Sequence, residues 1–154
     1  MKDGMKQRTK RWLWIAFTLL IAGIITWFSC QPGDESGGRS WAIAERIRPA
    51  LRLDDTDAVL YYVNFVIRKL AHFSLFSALG FGLYGSLRDV RRVPPFRAAV
   101  MIGAIYGALD EFHQYFVPGR VAMLTDVLLD AFGVFVGVFA LWLLLRRLEH
   151  RKNS

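Results

Sequence analysis

Apolar residues in this chain fall into long unbroken blocks, not into strand-like alternation. Four blocks stand out: 12–28 (WLWIAFTLLIAGIITWF), 70–87, 98–117 and 126–145. Each is near the length of about 20 residues that crosses a bilayer core. Trp12 and Trp14 mark one end of the first block and Trp27 the other, as interfacial aromatics do. The pattern predicts an all-α polytopic membrane protein, a bundle of four transmembrane helices. The divisions are a basic tail (1–11), a single membrane domain (12–147) and a second tail (148–154).

The stretch between the first two blocks is a helical connection with turns at its start. Gln31-Pro32-Gly33-Asp34 and Ser36-Gly37-Gly38 read as loop chemistry. Trp41 to Arg48 reads as a short amphipathic helix stopped by Pro49. Ala58 to Ile67 runs into the second block without a breaker, either lying at the surface or extending that span. Both tails read as solvated and flexible.

Charge orients the bundle. The tail holds Lys2, Lys6, Arg8, Lys10 and Arg11; the second connection holds Arg88, Arg91, Arg92 and Arg97; the end holds Arg146, Arg147, Arg151 and Lys152. The first connection has six basic and six acidic residues, and the third has Arg120 alone. The positive-inside rule puts both termini in the cytoplasm and the first connection outside. The net charge of +7 is therefore a topology signal, and no nucleic-acid motif accompanies it. The composition, 54% hydrophobic and 21% charged, excludes a soluble single-core enzyme. Cys30 is the lone cysteine, which excludes a disulfide scaffold. Cleavage before Cys30 is not expected, because Trp27, Phe28 and Ser29 are too bulky for ordinary processing.

Ionisable residues within spans carry the chemistry, since each costs about 2.5–3.5 kcal/mol at mid-bilayer. Here they all lie toward the outer side: Lys69 and His72 on span two; Asp110, Glu111, His113 and Gln114 on span three; Asp126 and Asp130 on span four; Arg120 in the turn. Asp110 sits about 10 Å below the outer end of its span. Gly103, Gly107, Asp110 and Gln114 form one stripe, and Asp126, Asp130, Gly133 and Gly137 another. Span two offers Ser74, Ala78, Gly82 and Gly85. The expected result is a tightly packed bundle with an outward polar pocket.

Several readings of that layer compete. Lys69, Asp110, Glu111, Arg120, Asp126 and Asp130 can form a structural ion-pair network. Lys69 and Arg120 can instead hold phosphate, with Asp110 and Glu111 accepting hydrogen bonds from a ligand. One carboxylate can share a proton with Asp126 or Asp130, as in a proton-coupled transporter, which would need an oligomer. No cofactor or metal is expected, because no His-Glu-x-x-His pair shares one helix; the ligands to consider are His72, Asp110 and Glu111. Asp110 and Glu111 point about 100° apart and cannot face one partner.

Phe28-Ser29-Cys30-Gln31-Pro32-Gly33 with Ser36, Arg68-Lys69-Leu70-Ala71-His72-Phe73, Asp110-Glu111-Phe112-His113-Gln114, Pro118-Gly119-Arg120 and Asp126 resemble the ordered motifs of the VanZ-like family of bacterial membrane proteins. Asp130, Gly133 and Gly137 fit its last span. The family often has Glu three residues after the motif histidine; here that residue is Leu75. The resemblance implies an envelope protein of the bacterial cytoplasmic membrane that lowers teicoplanin susceptibility. Together with the polar layer, it points to binding of a lipid-linked envelope precursor or lipoglycopeptide at Lys69, His72, Asp110, Glu111, Gln114, Arg120 and Asp126, with Asp130 behind. The other readings are a metal-dependent hydrolase or transferase acting on a lipid, and the oligomeric transporter.

Overall fold

A computed structural model describes residues 2–54, 56–90 and 93–153, with the backbone alone for 2–4, 6, 34–37, 39, 152 and 153. Arg91 and Arg92 of the charge count, the side chains of Lys2, Lys6 and Lys152, and the motif residue Ser36 lie outside what is described. The chain forms α1 (Lys2–Ser29), α2 (Gly33–Ala50), α3 (Asp57–Leu87), α4 (Pro95–Gln114) and α5 (Leu124–Asn153). No strand occurs among the described residues.

The helix ends differ from the expected ones for local reasons. The loop expected after Pro32 is helical, so the short amphipathic helix is the second half of an 18-residue one. Pro32 caps it with extended backbone, and Pro49 falls in its last turn. Arg52, just beyond, adopts a positive φ of 54°. The two options for residues 58–67 resolve into extension: Thr56 accepts from the Val59 N–H and starts one helix that continues to Leu87. At 1.5 Å per residue α3 is about 46 Å long, well beyond a bilayer core of about 30 Å. Helix α2 packs against α3. The third block starts and stops three residues early, because Pro95 occupies the first helical turn and Tyr115–Pro118 make turns. Both tails continue α1 and α5 as helix, since no breaker separates them from the spans.

Helices α1, α3 and α5 are long and apolar enough to cross a membrane, over Gln7–Ser29, Asp57–Leu87 and Leu124–Arg151. Helix α4 is not among them; Arg97, Asp110 and Glu111 fall within its 20 residues.

Helix α3 touches all four others, and its contact with α5 is the most extensive. The two run parallel, and their backbones meet at glycines. A Cβ on Gly137 would strike the backbone of Ser77 and Phe81, and one on Gly80 the backbone of Val134. A Cβ on Gly133 would lie 2.8 Å from the Phe73 carbonyl oxygen. On α4, Gly103 faces Val134 and Gly107 faces Asp130 and Phe76. The expected span-two stripe divides in two. Ser74 is exposed, Gly82 and Gly85 face Phe17, Thr18 and Trp14 of α1, and Ser77 with Gly80 meets α5. One helix serving two partners needs two small faces, which a single stripe does not reveal.

Phe76, Leu79, Val134, Val138, Leu141, Ile25 and Tyr84 fill the core between the helices. Outside, Leu20, Met101, Ile105, Leu109, Phe112, Leu128 and Phe132 are exposed. Buried polar residues, by contrast, gather at one end: Ser29, Gln31, Ser40, Asn64, Asp110, Glu111, Gln114 and Asp130. An apolar exterior around a polar interior is the arrangement a lipid solvent imposes.

Gly137→Ala is expected to lower stability by about 1–3 kcal/mol, the usual cost of overpacking. Gly23 has open space around its Cα, so Gly23→Ala should be neutral or stabilising. Thermal unfolding of both variants in detergent micelles measures the difference.

Candidate functional site

The polar end is built from α3, α4, α5 and the turn between the last two. Residues three or four apart share a helix face, so Lys69 with His72 on α3 confronts Asp126 with Asp130 on α5. Because the helices run parallel, the pairs form two rungs. Lys69 pairs with Asp126, and its ammonium also lies 5.1 Å from the Phe65 ring centroid. One turn deeper, His72 Nδ1 is 3.6 Å from Asp130 Oδ1, and the imidazole stacks on Phe76.

A second chain starts at Asp110. The Gln114 side-chain amide donates to Asp110 Oδ2 at 2.8 Å, and Arg120 Nη1 donates to Gln114 Oε1 at 3.3 Å. The other guanidinium nitrogens leave the layer: Nη2 donates to the Phe28 carbonyl at 2.7 Å and Nε to the Gln31 carbonyl at 3.2 Å. The last carbonyls of a helix lack internal partners, so Arg120 satisfies the end of α1. Burial lowers the Arg120 pKa, Arg68 acts in the same direction, and Asp110 and Glu111 oppose it; an arginine nonetheless stays charged. Its neighbour Gly119 has a φ of 73°, a conformation glycine adopts without strain. Gly33 N–H donates to the Pro118 carbonyl at 3.0 Å, and a Cβ on Gly33 would collide with Gly119. The Pro-Gly segment after α1 and the Pro-Gly-Arg turn are thus two halves of one junction.

Glu111 points away from Asp110, as adjacent helical positions require. Its Oε2 accepts from the Met123 N–H at 3.2 Å, beside the start of α5, where a carboxylate is favoured. Its other oxygen is buried without a hydrogen-bond partner. The ligand-type atoms that converge are those of His72, Glu111 and Asp130, all within 4.8 Å of one another. Asp110, expected in that set, is turned to Gln114 instead, and Asp130 takes its place.

Two cavities adjoin the layer. One, of about 220 Å³, has apolar walls from Ile25, Phe28, Ile43, Ile67 and Leu75, and reaches His72, Asp110 and Arg120. The other, of about 320 Å³, is lined by Asn64, Arg68, Lys69, His72, Gln114 and Asp126. Arg68 and His72 border both. Asn64 and Arg68 were not singled out from sequence as site residues, although Asn64, Arg68 and His72 recur every four residues and so share one face of α3. Tyr106 was also missed: its hydroxyl bonds the Ala22 carbonyl and Thr26, each at 2.8 Å, holding α4 to α1. His113 stands outside the layer, its Nδ1 3.4 Å from Ser29 Oγ.

These features define an all-helical, membrane-type bundle whose charged side chains converge inside one end. A family model described as VanZ/LLP1 matches residues 14–146, and the chain belongs to the VanZ/LLP1 family. The chain has no significant match to a curated protein or to a solved structure.

Arg120→Ala removes charged hydrogen bonds to the end of α1, and each such bond contributes about 1.5–3 kcal/mol. Loss of at least one such increment in thermal unfolding is expected. Faster proteolysis at the exposed Cys30 should accompany it.

Proposed function

We propose that this protein is a four-span envelope protein that binds a lipid-linked or lipid-bearing molecule at an outward-facing site and lowers teicoplanin susceptibility. The observation that carries the reading is the smaller cavity, apolar along its walls and polar at its end. Such a shape suits a ligand with a hydrocarbon part and a hydrogen-bonding head. His72 and Asp110 are the polar groups offered to that head. Arg120, whose donors reach α1 and Gln114, borders the site chiefly as a clamp.

The fourth crossing is α4. Met101, Ile105, Leu109 and Phe112 are exposed along one side of it, while Gly103, Gly107, Asp110 and Gln114 are buried along the other. That division supports a helix with one side toward lipid and its two carboxylates turned inward. Arg88, Arg97, Arg146 and Arg147 lie at the opposite end of the bundle from the cavities. The positive-inside rule then places that end and both termini in the cytoplasm, with α2 on the outer face.

Cys30 is free and exposed at the site end. A membrane-impermeant maleimide should therefore label it in intact cells, and Cys30→Ser should abolish labelling. Labelling only after lysis would reverse the topology.

The functional test compares teicoplanin and vancomycin susceptibility of a sensitive Gram-positive host. It expresses wild type, Asp110→Asn, Asp126→Asn and Ala71→Phe at matched membrane levels. Ala71 lines the smaller cavity and is exposed, so the phenylalanine adds bulk there without removing a polar side chain. Selective teicoplanin protection by wild type, lost in all three variants, is expected. Protection that survives Ala71→Phe removes the cavity from the reading; no protection by wild type removes the glycopeptide from it.

A further inference from the structure

Three helices deliver three ligand-type side chains to one point: His72 from α3, Glu111 from α4 and Asp130 from α5. Asp130 has no accessible surface and Glu111 is 3% exposed. Both Asp130 oxygens, Glu111 Oε1 and His72 Nδ1 are buried without a hydrogen-bond partner. His72 Nδ1 and Asp130 Oδ1 stand 3.6 Å apart, beyond hydrogen-bond distance. Unmet carboxylate oxygens are among the most costly groups to bury.

Lys69 and Arg120 are directed elsewhere. Lys69 pairs with Asp126 one turn away, and Arg120 binds Gln114 and the α1 carbonyls. The site carries two carboxylates, and a divalent cation matches their charge while taking one ligand atom from each of the three residues. One imidazole nitrogen with carboxylate oxygens is a zinc-type donor set. Calcium needs about 6–8 oxygens, and magnesium prefers oxygen ligands with several retained waters.

We propose that His72, Glu111 and Asp130 form a binding site for a divalent metal ion of the zinc class, joining α3, α4 and α5. The ligand atoms need to close by only about 1–1.5 Å to reach zinc bonds of about 2.0–2.2 Å. Three protein ligands leave a coordination position open, and His72 places the site against both cavities. This departs from the absence of a metal expected on sequence grounds. Spacing along one helix is uninformative when each helix donates a single ligand.

The test uses the full-length chain purified in detergent, stripped with a chelator and dialysed. Zinc is titrated by equilibrium dialysis with elemental analysis, and Co²⁺ serves as an optical probe. The expected results are one zinc per chain, a visible Co²⁺ band and a melting temperature that rises with zinc. Binding should survive in Cys30→Ser and His113→Ala. It should weaken in His72→Ala and Glu111→Gln by more than the roughly 10–100-fold typical of losing an outer-shell partner. If Glu111→Gln does not fold, His72→Ala decides, since the His72 side chain is 27% exposed and tolerates truncation. Absence of stoichiometric zinc, or zinc binding unchanged by His72→Ala, overturns the proposal. Either failure leaves the cavity reading intact, because that reading rests on susceptibility and Ala71→Phe.

Discussion

The close approach of α3 and α5 governs the rest of the structure. Backbone meets backbone where Gly80 faces Val134 and where Gly137 faces Ser77. In lipid there is little hydrophobic drive between helices, so contact must come from packing, and packing this close requires missing side chains. Because the two helices run parallel, register set in the glycine half carries into the polar half. Lys69 reaches Asp126 and His72 reaches Asp130 for the same reason that Gly137 fits against Ser77.

The polar end adds a different kind of order. Arg120 ties the last turn of α1 to Gln114 and, through it, to Asp110. Glu111 divides its oxygens between the start of α5 and the buried space beside Asp130. One adjacent pair of carboxylates thus serves two purposes. Asp110 belongs to the wall of the smaller cavity, and Glu111 belongs to the three-helix convergence behind it.

Much of this was legible in the sequence, and the exceptions are instructive. The stripe Gly103–Gly107–Asp110–Gln114 is buried as a stripe, and Asp126–Asp130–Gly133–Gly137 is buried except for the half-buried Asp126 at its end, because a helical period fixes which residues share a face. The extension of α3 was one of two readings, and Thr56 decides between them. The small face of α3 was misread, because Gly82 and Gly85 serve α1 while Gly80 serves α5. The loop expected after Pro32 is helix, because glycines read as punctuation can also be places of close approach, as Gly33 is to Gly119. The replacement of Asp110 by Asp130 in the convergent trio depends on rotations between helices, which no single helix encodes. Helix α4 carries charges of different placement, Asp110 and Glu111 buried and Arg97 exposed, and an average over the segment does not register direction.

The bond from Arg120 to the Phe28 carbonyl joins residues 92 positions apart. Seen along the growing chain, α1 is complete and membrane-inserted long before its partner residue exists. The contact of Gly33 with Pro118 has the same delay. Until the turn before α5 emerges, helix α1 is held by its packing on α3 and by the Tyr106 bonds to Ala22 and Thr26, with its end untied. The order of synthesis makes that turn a late addition to α1, and a chain halted before it would lack the bonds that tie the end of its first helix.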